Sequence, residues 1–211
     1  MRCPATILSA MLIAGAAVSG EADVLLDQPH DFLNSARSDW RGGALSIQFG
    51  DDFRPTGPVI VESATFWMIA TWANPPHNWS VAVHRTLPDD ASWGFRPEHP
   101  WFFEQSGPSD VIQHGQWNDD QAMHLFEVRF DDLDLYLDPA ESERGMFWFS
   151  SFGHITDPAV QNVRWGTAGN GTMNGEGAWW KTIPWVHPGW RRFSFPDGTK
   201  SDLAMRIEGT Y

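Results

Sequence analysis

Apolar and polar residues alternate with a period of two through most of this chain, and that spacing leaves little room for helix. In "ALSIQF", Leu45, Ile47 and Phe49 fall on one face and Ser46 and Gln48 on the other. "NWSVAVHR" sets Trp79, Val81 and Val83 against Ser80, Ala82 and His84, and "HLFEVRF" sets Phe126, Val128 and Phe130 against Glu127 and Arg129. "DLAMRIEG" does the same with Leu203, Met205 and Ile207. Successive side chains of a strand point to opposite faces, so each run predicts a half-buried antiparallel strand. "VIVESATFWMIATW" (Val59 to Trp72) and "GMFWFSSF" (Gly145 to Phe152) are apolar almost throughout and predict central strands covered on both faces. Between the runs lie clusters such as "RPTGP", "NPPHN" and "FPDG", where proline presets φ and glycine or asparagine permits the turn. About eight strands separated by turn signals predict an all-β, two-sheet antiparallel β-sandwich with jelly-roll-like connections. The short "PAESE" predicts a single helical turn, and Thr86 to Gln121 is the least regular stretch.

The first twenty-two residues read as an export signal. Arg2 precedes the apolar run Ala5 to Val18, and Gly20 and Ala22 supply small residues where a signal peptidase needs them. The expected organisation is a signal peptide over 1–22 and one sandwich domain over 23–211, with the mature chain secreted to the periplasm or the extracellular space. Cys3 is the one cysteine of the chain and lies inside the signal, so the mature domain is expected to have neither disulfide nor thiolate metal site. The net charge of −13 opposes contact with phosphate backbones and with anionic lipid, so no nucleic-acid or membrane partner is expected.

"ADVLLDQPHD", "FGDDF", "SATFWMIATWANPPHNWSVAVH", "DPAESERGMFWFSSF", "WGTAGNG…WW" and "SDLAMRIEG" follow one another along the chain. In that order they resemble a broad group of secreted bacterial β-sandwich modules, frequently found ahead of PEP-CTERM sorting tails. The resemblance covers Ala22 to Tyr211 and implies a sandwich fold and export. It carries no activity to particular residues. The printed sequence has no Pro-Glu-Pro element, membrane helix or basic end after the last strand, which implies release rather than surface sorting.

"WGTAGNGTMNGEGAWW", residues 165 to 180, is not a phosphate loop. Gly169 and Gly171 fit the spacing G-x-G-x-x-G, but Asn174 holds the third position and no helix follows; the nearby Lys181 has no glycine before it. Its glycines predict a tight connection between strands. Trp179 and Trp180 close it, with Trp185 and Trp190 shortly after. Two readings are open: flat indoles that hold a polysaccharide, or large side chains that pack the ends of the sandwich.

"DDLDLYLD" places Leu133, Leu135 and Leu137 on one face and Asp132, Asp134, Tyr136 and Asp138 on the other. Like charges on one face repel, and Ca²⁺ bound by Asp132, Asp134 and Asp138 would relieve them, although no EF-hand loop spacing is present; solvation is the simpler account. The eight histidines form no H-x-H or H-E-x-x-H and point to no zinc site. "GPSDV" lacks the second glycine of a nucleophile elbow. Glu104, Glu127 and Glu176 are the carboxylates a glycosidase pair would draw on, without the spacing of one. The expected function is therefore non-catalytic binding of carbohydrate or another extracellular polymer. A structural, self-associating role in the envelope or matrix is the alternative, and a glycan hydrolase a third.

Overall fold

The computed structural model describes residues 22–41, 46–90, 94–98, 102–118, 120–168, 178–183, 190–194 and 202–211. The expected signal segment lies outside them, save Ala22. Their regular structure is almost wholly strand: β1 (Asp23–Gln28), β2 (His30–Arg37), β3 (Asp39–Trp40), β4 (Ser46–Phe53), β5 (Val59–Thr71), β6 (Asn78–Asp90), β7 (Gly94–Pro97), β8 (Phe103–Ser106), β9 (Asp110–Trp117), β10 (Asp120–Phe130), β11 (Leu135–Leu137), β12 (Phe147–His154), β13 (Val163–Ala168), β14 (Trp179–Ile183), β15 (Arg191–Arg192) and β16 (Met205–Thr210). Single 3₁₀ turns at Pro139–Glu141 and Glu143–Gly145 fall where "PAESE" predicts a turn. Among the described residues no helix is long and apolar enough to cross a membrane.

The strands form two sheets. The first runs β1-β16-β5-β10-β9, with β11 and β13 also on β5 and β2 on β13; the second runs β15-β14-β4-β3-β12-β6-β7, with β8 on β6. All pairings are antiparallel except the short β3–β12 contact. β5 is long enough to carry two partners on each edge. β11 pairs with Val59 to Val61 and β10 with Ala64 to Thr71, while β16 takes Ile60 to Phe66 and β13 takes Met68 to Ala70. The chain crosses between sheets from β2 to β3, β4 to β5, β5 to β6, β8 to β9, β11 to β12, β12 to β13, β13 to β14 and β15 to β16, which stacks the sheets face to face as the jelly-roll-like reading expects.

The core lies between them. Phe49, Phe53, Phe147, Phe149, Val81 and Val83 from the second sheet meet Phe66, Met68, Phe126, Val128, Phe130 and Trp165 from the first. Aromatic rings meet edge to face, with Phe66 at 6.0 Å from Phe130 and 5.3 Å from Trp165, a geometry favoured by the ring quadrupole. Trp165 also donates its indole N–H to the Ala204 carbonyl at 2.8 Å.

The alternating runs bury their expected faces, save that Ile47 is only half-buried and Leu45 lies outside the described residues, and two of them differ on the other face. Ser46 and Gln48 in β4, and Ser80, Ala82 and His84 in β6, are buried rather than solvated. His84 is covered by Trp190 of a second apolar cluster with Met146 and Trp148 on the outer side of this sheet, and the Ser80 hydroxyl meets Ser106 and His154. Thr86 to Gln121 also differs from its irregular reading, since it contains the end of β6, all of β7, β8 and β9, and the start of β10. β9 is an edge strand, exposed along most of its length. An edge with no buried face imposes no alternation on its sequence.

Candidate functional site

The four tryptophans expected to bind ligand do not form one exposed row. Trp190 is 2% exposed; it packs with Met146 and Trp148, and its ring meets that of His84 edge to face at 5.0 Å. Its benzo edge lies over Gly50, where a Cβ would come within 3.4 Å of it. Trp180 is half-buried against the main core and pairs in register with Phe49. Trp179 of β14 pairs with Gly50 in β4 and with Arg192 in β15, and its side chain lies outside the described residues. Trp185 lies outside them altogether, as does 169–177 of the glycine-rich connection.

The acidic stripe is arranged against shared coordination. Leu133, Leu135 and Leu137 are buried and Asp132, Asp134 and Tyr136 exposed, as the alternation predicts. Asp132 and Asp134 sit at φ 54° and 43°, left-handed positions that aspartate tolerates better than most residues. The Asp138 carboxylate is engaged in capping the 3₁₀ turn, accepting from the Ala140 N–H at 2.9 Å. No group of three or more His, Cys, Asp or Glu among the described residues is placed to hold a metal ion. Ser109 of "GPSDV" is a turn residue whose hydroxyl accepts from the Asp131 N–H. Glu127 pairs with His114 at 2.8 Å.

Histidines divide between core and rim. His84 is buried, held by the Glu98 carbonyl at 2.8 Å and Ser150 Oγ at 3.2 Å. His154 Nε2 lies 2.7 Å from the buried Ser80 hydroxyl, and burial together with His77 lowers its pKa. Asp51, fully buried in β4, has its pKa pushed well up by burial and by the neighbouring Asp202 and Asp52 carboxylates.

The best-formed ligand geometry lies elsewhere, at the far end of β5. Trp72 follows the last residue of that strand and opens the turn Ala73-Asn74-Pro75-Pro76. Its indole is 51% exposed and stacks on the His124 imidazole, the two centroids 4.9 Å apart and the planes 13° from parallel. Gln113 in turn lies 2.5 Å from His124 Nδ1. The result is a flat aromatic surface held in place and half open to solvent. On the opposite face of this sheet, where Met123 pairs with Thr71 and Arg164 with Ile69, is a cleft of about 450 Å³ lined by Ser35, Thr71, Met123, Val160, Asn162 and Arg164, among others. That volume lies in the range of small-molecule sites. Thr71 and Ala122 line the cleft, and the backbone N–H of Trp72 donates to the Ala122 carbonyl at 2.8 Å, which fixes the backbone that carries the indole.

The cleft's wall is well braced. Gln161 Oε1 accepts from the Thr156 and Asp157 N–H groups at 2.7 and 2.9 Å, while its amide nitrogen donates to Pro75 O at 2.9 Å. Thr71 and Asn162 exchange bonds: the Thr71 N–H donates to Asn162 O, and the Asn162 N–H to Thr71 Oγ1. These contacts tie the loop 156–162 both to the end of β5 and to the turn that carries Trp72. A site braced in this way binds at a reduced ordering cost.

Reading the sequence places Trp72 as the last residue of a strand buried on both faces. The signal against that placement is its position directly before Asn-Pro-Pro, where β5 has to end. Set against family models, curated proteins and solved structures, the chain finds no match.

Proposed function

We propose that this protein is a secreted, non-catalytic β-sandwich that binds carbohydrate or another extracellular polymer through the exposed indole of Trp72. The proposal includes its kinship with the exported sandwich modules found ahead of PEP-CTERM tails. One observation carries the binding reading: an exposed indole is held flat by stacking on His124 with an interplanar angle of 13°. Flat aromatic faces pack on the apolar faces of sugar rings, and a preset ring gives up little entropy on binding. Insoluble polysaccharides incubated with the protein test this directly. The wild type is retained on at least one, and Trp72→Ala is released from it; equal retention of both removes Trp72 from the site.

A second reading has its own support. β9 ends its sheet among the described strands, and Val111 and Ile112 on it are 40% and 44% exposed. An open edge with apolar side chains favours pairing with another copy, which suits a self-associating envelope or matrix component. Sedimentation across a concentration series distinguishes it: assembly without ligand that Ile112→Lys abolishes supports this reading, and a monomer at every concentration removes it.

A further inference from the structure

The cleft lies apart from Trp72 and has a chemistry of its own. Ile69, opposite Arg164, and Thr71, opposite Met123, alternate along β5 with the core residues Met68 and Ala70, so the cleft opens on the outer face of the first sheet. Its described lining has one charged group, Arg164, and no carboxylate. Other arginines are held by acids: Arg41 by Asp39, Arg85 by Glu141, Arg129 by Asp131 and Arg206 by Glu208. Arg164 is half-buried, and no carboxylate among the described residues pairs with it. It is also fixed in position, since its neighbours Val163 and Trp165 are fully buried and its strand is paired on both edges, to β2 and β5.

Two further lining residues carry polar atoms shut off from water, Ser35 Oγ and Asn162 Oδ1, and neither has a hydrogen-bond partner among the described residues. A buried polar atom left in that state is unfavourable. Both residues flank Arg164. Asn162 stands two positions before it on the same side of the chain, roughly 6–7 Å away along an extended backbone. Ser35 stands opposite Gly166 across β2 and β13, one diagonal step from Arg164, or about 7–8 Å. Each is only half-buried as a residue, so rotation about a side-chain torsion presents its oxygen to a molecule in the cleft. The rest of the wall includes the apolar side chains of Met123, Pro158 and Val160, the last of them 48% exposed.

We propose that this cleft binds an apolar α-amino acid. Its carboxylate lies on Arg164, its ammonium on Asn162 Oδ1 and Ser35 Oγ, and its side chain against Met123, Pro158 and Val160. The planar fork of a guanidinium takes a carboxylate through two parallel hydrogen bonds. An ammonium brings three donors to two oxygens that have none. Net charge decides between an amino acid and a simple carboxylic acid. The chain carries −13, which repels an approaching anion but not a zwitterion whose charges cancel. The inference goes beyond the carbohydrate reading and does not depend on it, because Trp72 faces away from the cleft.

Titration calorimetry with matched probes tests the inference. The probes are leucine, methionine and phenylalanine, their amides, and the corresponding carboxylic acids without the amino group. At least one amino acid binds saturably, and about tenfold or more tightly than its own amide, which keeps the ammonium and side chain but has no carboxylate. Arg164→Gln, shown to be folded by its thermal midpoint, abolishes that difference, and Arg164→Lys keeps part of it. Asn162→Ala weakens the amino acid and leaves the deaminated acid unchanged. Equal binding of amino acid and amide by the wild type overturns the inference, whatever the variants do. A deaminated acid that binds as tightly as its amino acid overturns the ammonium contact and leaves a carboxylate site. No binding by any probe overturns the site altogether, and leaves the carbohydrate reading standing.

Discussion

Replacing Asp51 with asparagine separates a buried acid's structural worth from the penalty of its charge. Asp51 lies in β4 of the second sheet, fully buried, and its two oxygens accept from different backbone donors: the Leu203 N–H at 2.6 Å and the Asp52 N–H at 3.0 Å. Leu203 leads into β16 of the first sheet, so this carboxyl ties the two layers together. Asp202 stands close by, nearly buried, taking a hydrogen bond from Gln28 at 3.2 Å. Burial first, and then the Asp202 and Asp52 charges, raise the Asp51 pKa well above its ordinary value. An acid whose pKa is higher folded than unfolded binds its proton more tightly in the native state. Its contribution is therefore complete below the unfolded value, near 3.9, and is lost as pH rises through the folded one. One proton sets a ceiling of about 1.4 kcal/mol of lost stability per pH unit in that interval. Asparagine cannot titrate, but its NH₂ faces one of the two backbone donors and strands it at a cost of about 1–3 kcal/mol. The assay is urea unfolding of wild type and Asp51→Asn at half-unit steps from pH 4 to pH 8. The wild type is the more stable at acid pH, and its advantage shrinks as pH rises, because only the wild type loses its proton. An advantage that stays constant or grows with pH refutes the reasoning.

Gly209→Ala puts a Cβ 2.1 Å from the Ile60 carbonyl oxygen and 3.0 Å from Val61 Cα. Both belong to the backbone of β5, which cannot yield, so the thermal midpoint falls by about 5 °C or more. Trp165→Phe deletes the indole donor to Ala204 O and leaves space beside Phe66. It lowers unfolding free energy by about 1–3 kcal/mol in urea titrations. Asp138→Ala removes the turn cap on Ala140 and lowers stability by about 1 kcal/mol, with or without millimolar Ca²⁺; a loss seen only with calcium present would make that carboxylate a cation ligand.

The sandwich was legible because the faces that form its core bury every second residue. Leu203, Met205 and Ile207, or Phe126, Val128 and Phe130, announce their strands unaided. The opposite faces were not legible where distant chain covers them. His84 looks like a solvated residue until Trp190, more than a hundred positions away, is found packed beside it. The same layer removes Trp190 from the exposed set that its place among the late tryptophans suggested. For the acidic stripe the sequence shows the alternation but not the left-handed conformations of Asp132 and Asp134, which only the path of the chain around Leu133 imposes. Trp72 was concealed for the contrary reason. Its neighbours in sequence are core residues, and its exposure follows from where β5 stops.

The measurement that bears most directly on the binding site is the indole ¹H–¹⁵N spectrum of uniformly labelled protein, titrated with an oligosaccharide that it retains. The Trp72 resonance is assigned by its absence in Trp72→Phe. With its ring half open to solvent, that resonance shifts on binding, while those of the buried Trp165 and Trp190 stay in place. A saturable ligand that moves other indoles and leaves Trp72 unmoved contradicts the account.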